Sequence, residues 1–210
     1  MLEGIEVLYH SSIKITKGLI IYFDPFKIDR EYHDADIIFI THSHYDHYSE
    51  EDINKVRKEN TKIVAPLDLL DNLLTIGFTK ESITIVKPNE NYNVNGLQFK
   101  TVSAYNNNKR FHPKENNWVG YLIAIDGITY YIAGDTDITE ENRQVKCDVA
   151  FVPIGGTYTM DYKEAAKLIN EIKPQIAIPT HYASIVGTKE DGIKFAKLLE
   201  PEIEYKIFIK

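Results

Sequence analysis

The sequence predicts an α+β fold in which two β-sheets lie face to face with helices outside. Three observations carry this: strand-like runs fill both halves, helices are interspersed among them, and polar clusters follow abruptly on apolar strands. Runs rich in Ile, Val, Phe and Tyr occur at Ile5–Tyr9, Leu19–Phe23, Asp36–Ile40, Lys62–Ala65, Ile83–Val86, Leu97–Ala104, Val119–Ile125, Ile128–Ala133, Val149–Val152, Gln175–Pro179 and Glu204–Ile209. Asn95-Gly96 and Asp126-Gly127 read as tight hairpins, because both dipeptides tolerate positive φ. Helices are expected at Glu50–Glu59, Leu67–Ile76, Tyr162–Lys173 and Glu190–Leu199. Ser49 is placed to cap the first of these. Glu50, Glu51 and Asp52 then sit at its positive end and Lys55, Arg57 and Lys58 near its negative end, which makes the charges a solvated helical face. Gly77 and Pro174 mark the ends of two others.

Length and composition frame this reading. A chain of 210 residues, 43 % hydrophobic and 11 % aromatic, is an ordinary globule, and residues 1–210 read as one domain without a linker or low-complexity tract. The formal net charge of −7 argues against a nonspecific nucleic-acid binder. Met1-Leu2-Glu3-Gly4 has no basic stretch leading into an apolar one, and no apolar run approaches the ~20 residues that span a bilayer. One cysteine, Cys147, excludes an internal disulfide and a multi-cysteine zinc site. Its place before the strand at Val149 reads as that of a small buried hydrophobe. The expectation is a cytoplasmic protein with a small-molecule substrate and no membrane partner; homo-oligomer formation stays open.

The chemistry is concentrated in Thr41-His42-Ser43-His44-Tyr45-Asp46-His47, which follows directly on the strand ending at Ile40. Three imidazoles and a carboxylate in six residues suit zinc, iron or manganese, and a sharp turn after a strand lets residues two to five apart converge. Two further clusters follow strands in the same manner: Gly134-Asp135-Thr136-Asp137 after Ala133, and Thr180-His181-Tyr182 after Pro179. Asp135 alone reads equally as a turn residue and His181 alone as a surface histidine. Together with the histidine cluster they read as metal ligands gathered at one sheet edge.

With these motifs on the page, the chain resembles the metallo-β-lactamase superfamily: His-x-His-x-Asp-His, then Gly-Asp-Thr, then a late strand-end histidine. His10-Ser11-Ser12, Asp24-Pro25-Phe26 and Gly155-Gly156-Thr157-Tyr158-Thr159-Met160-Asp161 are similar to its ascorbate-6-phosphate lactonase-like and phospholipase-D-like branch. The resemblance implies a four-layer αββα sandwich with the metal site at one edge of the sheets. It implies one or two divalent ions, zinc first and manganese or iron as others. His42 and His44 would bind one ion, Asp46, His47 and His181 a second, and Asp135 both. Asp24 and Thr41 would hold imidazole tautomers.

One departure concerns the third histidine of the first ion. The loop after Leu97–Ala104 reads Tyr105-Asn106-Asn107-Asn108-Lys109-Arg110-Phe111-His112-Pro113, so His112 comes late. Either it swings in, or Tyr105 or Asn106 takes the position. His10 reads either as a pocket-facing contact or as a satisfied strand-end residue. The loop itself is either a solvated connection or a lid offering Lys109 and Arg110 to an anionic substrate. Gly155–Asp161 would form a second pocket wall, its glycines permitting close backbone approach.

The implied activity is metal-dependent hydrolysis of an ester, lactone or phosphodiester bond in a small anionic substrate, with a metal-bound hydroxide as nucleophile and Asp46, Asp135 and His112 as the reacting-centre residues. An iron redox enzyme of the superfamily would carry glutamate where His44 stands, and a processing nuclease would add basic insertions. Neither feature is present. The alternative is a non-catalytic metal- or ligand-binding module on the same fold.

Overall fold

The computed structural model describes residues 1–209. The chain divides into two compact units, residues 2–87 and residue 1 with everything from residue 88 onward. The α+β class is as the sequence predicts.

In the first unit β1 (Ile5–Tyr9), β2 (Ser12–Lys17), β3 (Leu19–Phe23), β4 (Ala35–Phe39), β5 (Arg57–Pro66) and β6 (Ile83–Val86) form a six-stranded sheet in sequence order. β1, β2 and β3 are antiparallel neighbours, whereas β3 through β6 are parallel. Every strand but β2 therefore runs the same way. The segments that follow β1, β3 and β4 leave the sheet at one edge, and they carry His10, Asp24 and His42–His47. Helices α1 (Glu50–Val56) and α2 (Leu70–Thr75) cover one face over a core of Tyr22, Ile38, Ile53, Ile63 and Leu73. Ser49 caps α1 by accepting from the Asp52 N–H, as its residue type predicts.

In the second unit β7 (Asn91–Val94), β8 (Leu97–Ser103), β9 (Val119–Ile125), β10 (Ile128–Ile132), β11 (Val149–Pro153), β12 (Ile176–Thr180) and β13 (Glu204–Tyr205) form a seven-stranded sheet, again in sequence order. β7 to β10 are antiparallel and β10 to β13 parallel. β8, β10, β11 and β12 thus share a direction. The segments after them carry His112, Asp135, Gly155 and His181 to one edge. Helices α3 (Tyr162–Ile172) and α4 (Lys189–Ala196) pack on Tyr131, Ala150 and Val152 through Leu168, Ile169 and Phe195. Asp161 and Glu164 close a capping box at the start of α3. Asn95 and Asp126, both at positive φ, make the two expected hairpin turns. Cys147 packs against this core, and burial pushes its thiol up to about 12.

Four elements differ from the sequence reading. β2 is an additional strand. Its central Lys14 looks like a surface residue, yet it is only 8 % exposed, because its ammonium meets Asp34 at 2.7 Å and lies over the rings of Tyr22 and Tyr32. β7 is a short polar edge strand that carries no apolar signal. The first helix stops at Val56, and the charged run from Arg57 opens β5 instead of extending the helix. Arg57 pairs with Ala35 across the sheet, and its guanidinium donates to the Ile76 carbonyl and stacks on Phe78. The last strand ends at Tyr205, not Ile209.

Asp52 ties α1 to the chain entering it. Its carboxylate accepts from the Lys27 and Ile28 N–H groups, the Ser49 hydroxyl and the Lys55 ammonium. Desolvation acts to raise its pKa, but these donors outweigh it and hold the group below the usual carboxylate range. A depressed folded-state pKa stabilises above the unfolded value, roughly 3.9, and the contribution is lost as pH falls through the folded value. Asp52→Asn should therefore cost about 2 kcal/mol at pH 7, and urea titrations should show that gap closing below roughly pH 4.

Candidate metal centre

The first donor set is assembled around Asp24. This carboxylate is buried and accepts from the Thr41 N–H at 2.8 Å, the Thr41 hydroxyl at 2.7 Å and His47 Nδ1 at 2.7 Å. The Thr41 hydroxyl, its proton committed to Asp24, accepts in turn from His42 Nδ1 at 2.9 Å. The network assigns Nδ1–H tautomers to His42 and His47 and leaves their Nε2 lone pairs available. Burial pushes the Asp24 carboxyl up, against the opposing pull of His47 and Thr41. His42 Nε2 stands 3.1 Å from His44 Nδ1, and His10 Nε2 stands 3.3 Å from Asp46 Oδ2. The donor atoms of His10, Asp46 and His47 all lie within 4.8 Å of one another.

The second donor set is built on Asp135. His181 Nε2 lies 3.0 Å and His112 Nε2 3.3 Å from its Oδ2. His112 is fixed by Asn106. The Asn106 Oδ1 accepts from both the backbone N–H and Nδ1 of His112, while its Nδ2 donates to the Tyr158 carbonyl. Nδ1 therefore carries a proton, and Nε2 faces a carboxylate oxygen. With Nδ1 committed to Asn106, Nε2 is the ring nitrogen left to share a cation with Asp135.

Both sets suit a metal ion by chemistry and by spacing. Donors at about 2.0–2.1 Å from a tetrahedral zinc stand roughly 3.3 Å apart, which is the range of the four pairs above. Every donor is imidazole or carboxylate, and all but His44 are buried. His10, Asp24 and His181 have φ of 53°, 45° and 57°, a left-handed backbone that costs non-glycine residues energy and concentrates at functional positions.

The remaining candidates fall on the loop after β8. Lys109 places its ammonium 2.5 Å from Asp137, and the Asn107 N–H donates to the same carboxylate. This clamps the loop bearing His112 to the loop bearing Asp135. The Tyr105 hydroxyl donates to Glu141 and Arg110 is exposed. Spacing in the sequence did not single out His10 as a donor equal to the others. That follows from β1 running parallel to β3 and β4. A cavity of about 740 Å³, lined by His33, Arg57, Lys58, Phe78 and Thr79 among others, opens at the entry end of β5. Its Arg57 and Lys58 are engaged by Ile76 and Asp36, and it holds no donor cluster.

Comparison with known proteins shows the family. A family profile described as the β-lactamase superfamily domain matches residues 4–181. A UPF0173 metal-dependent hydrolase of Thermococcus onnurineus is 30 % identical over 95 % of this chain and 93 % of its own length. Another, of Saccharolobus solfataricus, is 32 % identical over 84 % of this chain and 78 % of its own. Among solved structures, a proposed metal-dependent hydrolase of Parabacteroides distasonis superposes with a TM-score of 0.79 at 27 % identity, covering 98 % of this chain and 93 % of that one. The chain belongs to the metallo-β-lactamase superfamily and, within it, to the UPF0173 metal-dependent hydrolases. Among the described residues no helix is long and apolar enough to cross a membrane.

Gly155 supports the second set sterically. A methyl group there would overlap the His181 carbonyl oxygen and approach its Nδ1 to 3.3 Å. Gly155→Ala should cost about 1–3 kcal/mol by overpacking. Thermal denaturation should show a Tm lower by roughly 2–4 °C per kcal/mol, together with weaker metal retention on dialysis.

Proposed function

We propose that this protein hydrolyses an ester, lactone or phosphodiester bond in a small anionic substrate. It would hold one or two divalent ions, zinc first and manganese or iron as others, through His42, His44, Asp46, His47, Asp135 and His181. The observation that carries the reading is the convergence of His112 Nε2 and His181 Nε2 on Asp135 Oδ2, with Asn106 engaging the far nitrogen of His112. It favours His112 as a ligand, and His10 joins the set through Asp46. A divalent ion in such a set supplies Lewis-acid polarisation of the scissile carbonyl or phosphoryl oxygen and a more acidic water.

The chain's own groups do the rest. Asp24 and Thr41 keep the His42 and His47 rings turned so that Nε2 faces the donor cluster, which avoids reorganisation during the reaction. Asp46 and Asp135 would accept hydrogen bonds from the attacking water and orient it. Arg110 is an exposed cation on the His112 loop and would meet the substrate's negative charge. Lys109 would contribute by holding that loop through Asp137.

Elemental analysis of protein purified without added metal, wild type against His112→Ala, tests the assignment. Two equivalents falling to one are expected. Hydrolysis of a phosphodiester, lactone or carboxylic-ester probe should be lost on chelation and return with zinc, and Asp46→Ala should lower it at least 100-fold. Failure to retain metal after reconstitution would overturn the reading. Retained metal without turnover on any of the three bond types would replace it with a binding module.

A further inference from the structure

Tyr45 lies between two candidate ligands, His44 and Asp46, yet its side chain is not part of the core: the residue is 67 % exposed. Its ring packs edge-on against Phe26, with centroids 6.0 Å apart and planes at 78°. Phe26 meets Tyr9 in the same way at 5.9 Å, and Tyr9 adjoins His10 at 6.4 Å. An aromatic strip thus runs beside the Asp46–His10–His47 cluster. The exposed Tyr45 and half-buried Tyr9 offer ring surface to a flat ligand, and the buried Phe26 holds them in place.

Lys27 stands over this strip. Its ammonium is 5.1 Å from the Tyr9 centroid and 5.8 Å from that of Phe26. Among the described residues it pairs with no carboxylate, although the chain as a whole is acidic. Lys27 is also held at φ 50°, a conformation lysine seldom adopts, with its N–H on Asp52. The backbone is fixed and the charge is left available, as a recognition group requires. Within the other unit a second exposed aromatic adjoins a donor. Phe111, 41 % exposed and next to His112, packs edge-on against Tyr158 at 4.7 Å. The Tyr158 carbonyl is the acceptor that orients Asn106.

We infer that Tyr9, Tyr45 and Lys27, backed by the buried Phe26, form a recognition rim for a substrate that joins a negative charge to an aromatic or similarly flat apolar group. This deepens the hydrolase reading and rests on it for the choice of site. The aromatic strip would take the flat group and Lys27 the anionic one.

The test is calorimetric binding of 1-naphthyl phosphate, methyl phosphate and 1-naphthol to the metal-loaded protein, comparing wild type with Tyr45→Ala and Lys27→Gln. Wild type should prefer naphthyl over methyl phosphate by about tenfold. Tyr45→Ala should erase most of that preference and leave methyl phosphate affinity unchanged. Lys27→Gln should weaken both phosphates about threefold and leave naphthol unaffected. Metal content is measured on each variant. Should Tyr45→Ala lose metal, Lys27→Gln, which lies outside the ligand stretch, decides. Equal affinity of wild type for the two phosphates, or variants that keep the wild-type pattern, would overturn the inference. Turnover on ester, lactone or phosphodiester probes is scored separately. Turnover without the preference sinks the rim alone, and the preference without turnover sinks the hydrolase reading alone.

Discussion

Asp24 is the constraint on which the first donor set depends. A buried carboxylate is costly, and here it is tolerated because three donors converge on it from a single turn of chain: the Thr41 amide, the Thr41 hydroxyl and the His47 ring. Its own N–H donates to the Phe39 carbonyl, so its position is tied to the end of β4, where the histidine cluster begins. One side chain thus fixes two imidazole tautomers, one directly and one through a hydroxyl. Removing it would strand a buried amide and leave two rings free to choose the other nitrogen. Asn106 does the equivalent in the second unit for His112, with an amide in place of a carboxylate. A neutral acceptor suffices there because only one ring must be held.

Backbone strain marks the same positions. At Asn95 and Asp126 the left-handed conformation is inexpensive, because these side chains tolerate it in hairpin turns. At His10 it falls in the two-residue turn between β1 and β2, and at Asp24 and His181 the surrounding hydrogen bonds and packing hold it. Gly155 contributes by omission: its missing side chain is what lets the His181 carbonyl approach.

The sequence points to the candidate donors because each apolar strand stops abruptly before a histidine or aspartate. Ile40 to His42, Ala133 to Asp135 and Pro179 to His181 are transitions that packing alone does not explain. The strands β2 and β7 and the true end of α1 stay hidden for the opposite reason. Lys14 is buried by pairing with Asp34 and by two tyrosine rings, and Arg57 is engaged by a carbonyl and a phenylalanine. These long-range contacts have no signature in local periodicity. The role of Lys109 was equally illegible: a loop lysine reads as a solvated or substrate-facing cation until Asp137 is found 2.5 Å away. His112 could be named as a candidate but not oriented, since Asn106 and Tyr158 reach it only in the folded loop.

Topology explains why these donors recur at strand ends. In each sheet the strands that deliver them run in the same direction: β1, β3 and β4 in one, β8, β10 and β12 in the other. Same-direction strands bring their following segments to one edge whatever the sequence separation, the arrangement that places ligand sites beyond the carboxyl ends of strands in open sheets. The rigid part of each donor set is therefore specified by sheet register and hydrogen bonding. The residues between the donors, such as Tyr45 and Phe111, are free of that duty. They are also exposed aromatics next to candidate donors, so under the proposed reading substitution there would alter what the site admits while the strand-end framework stays intact.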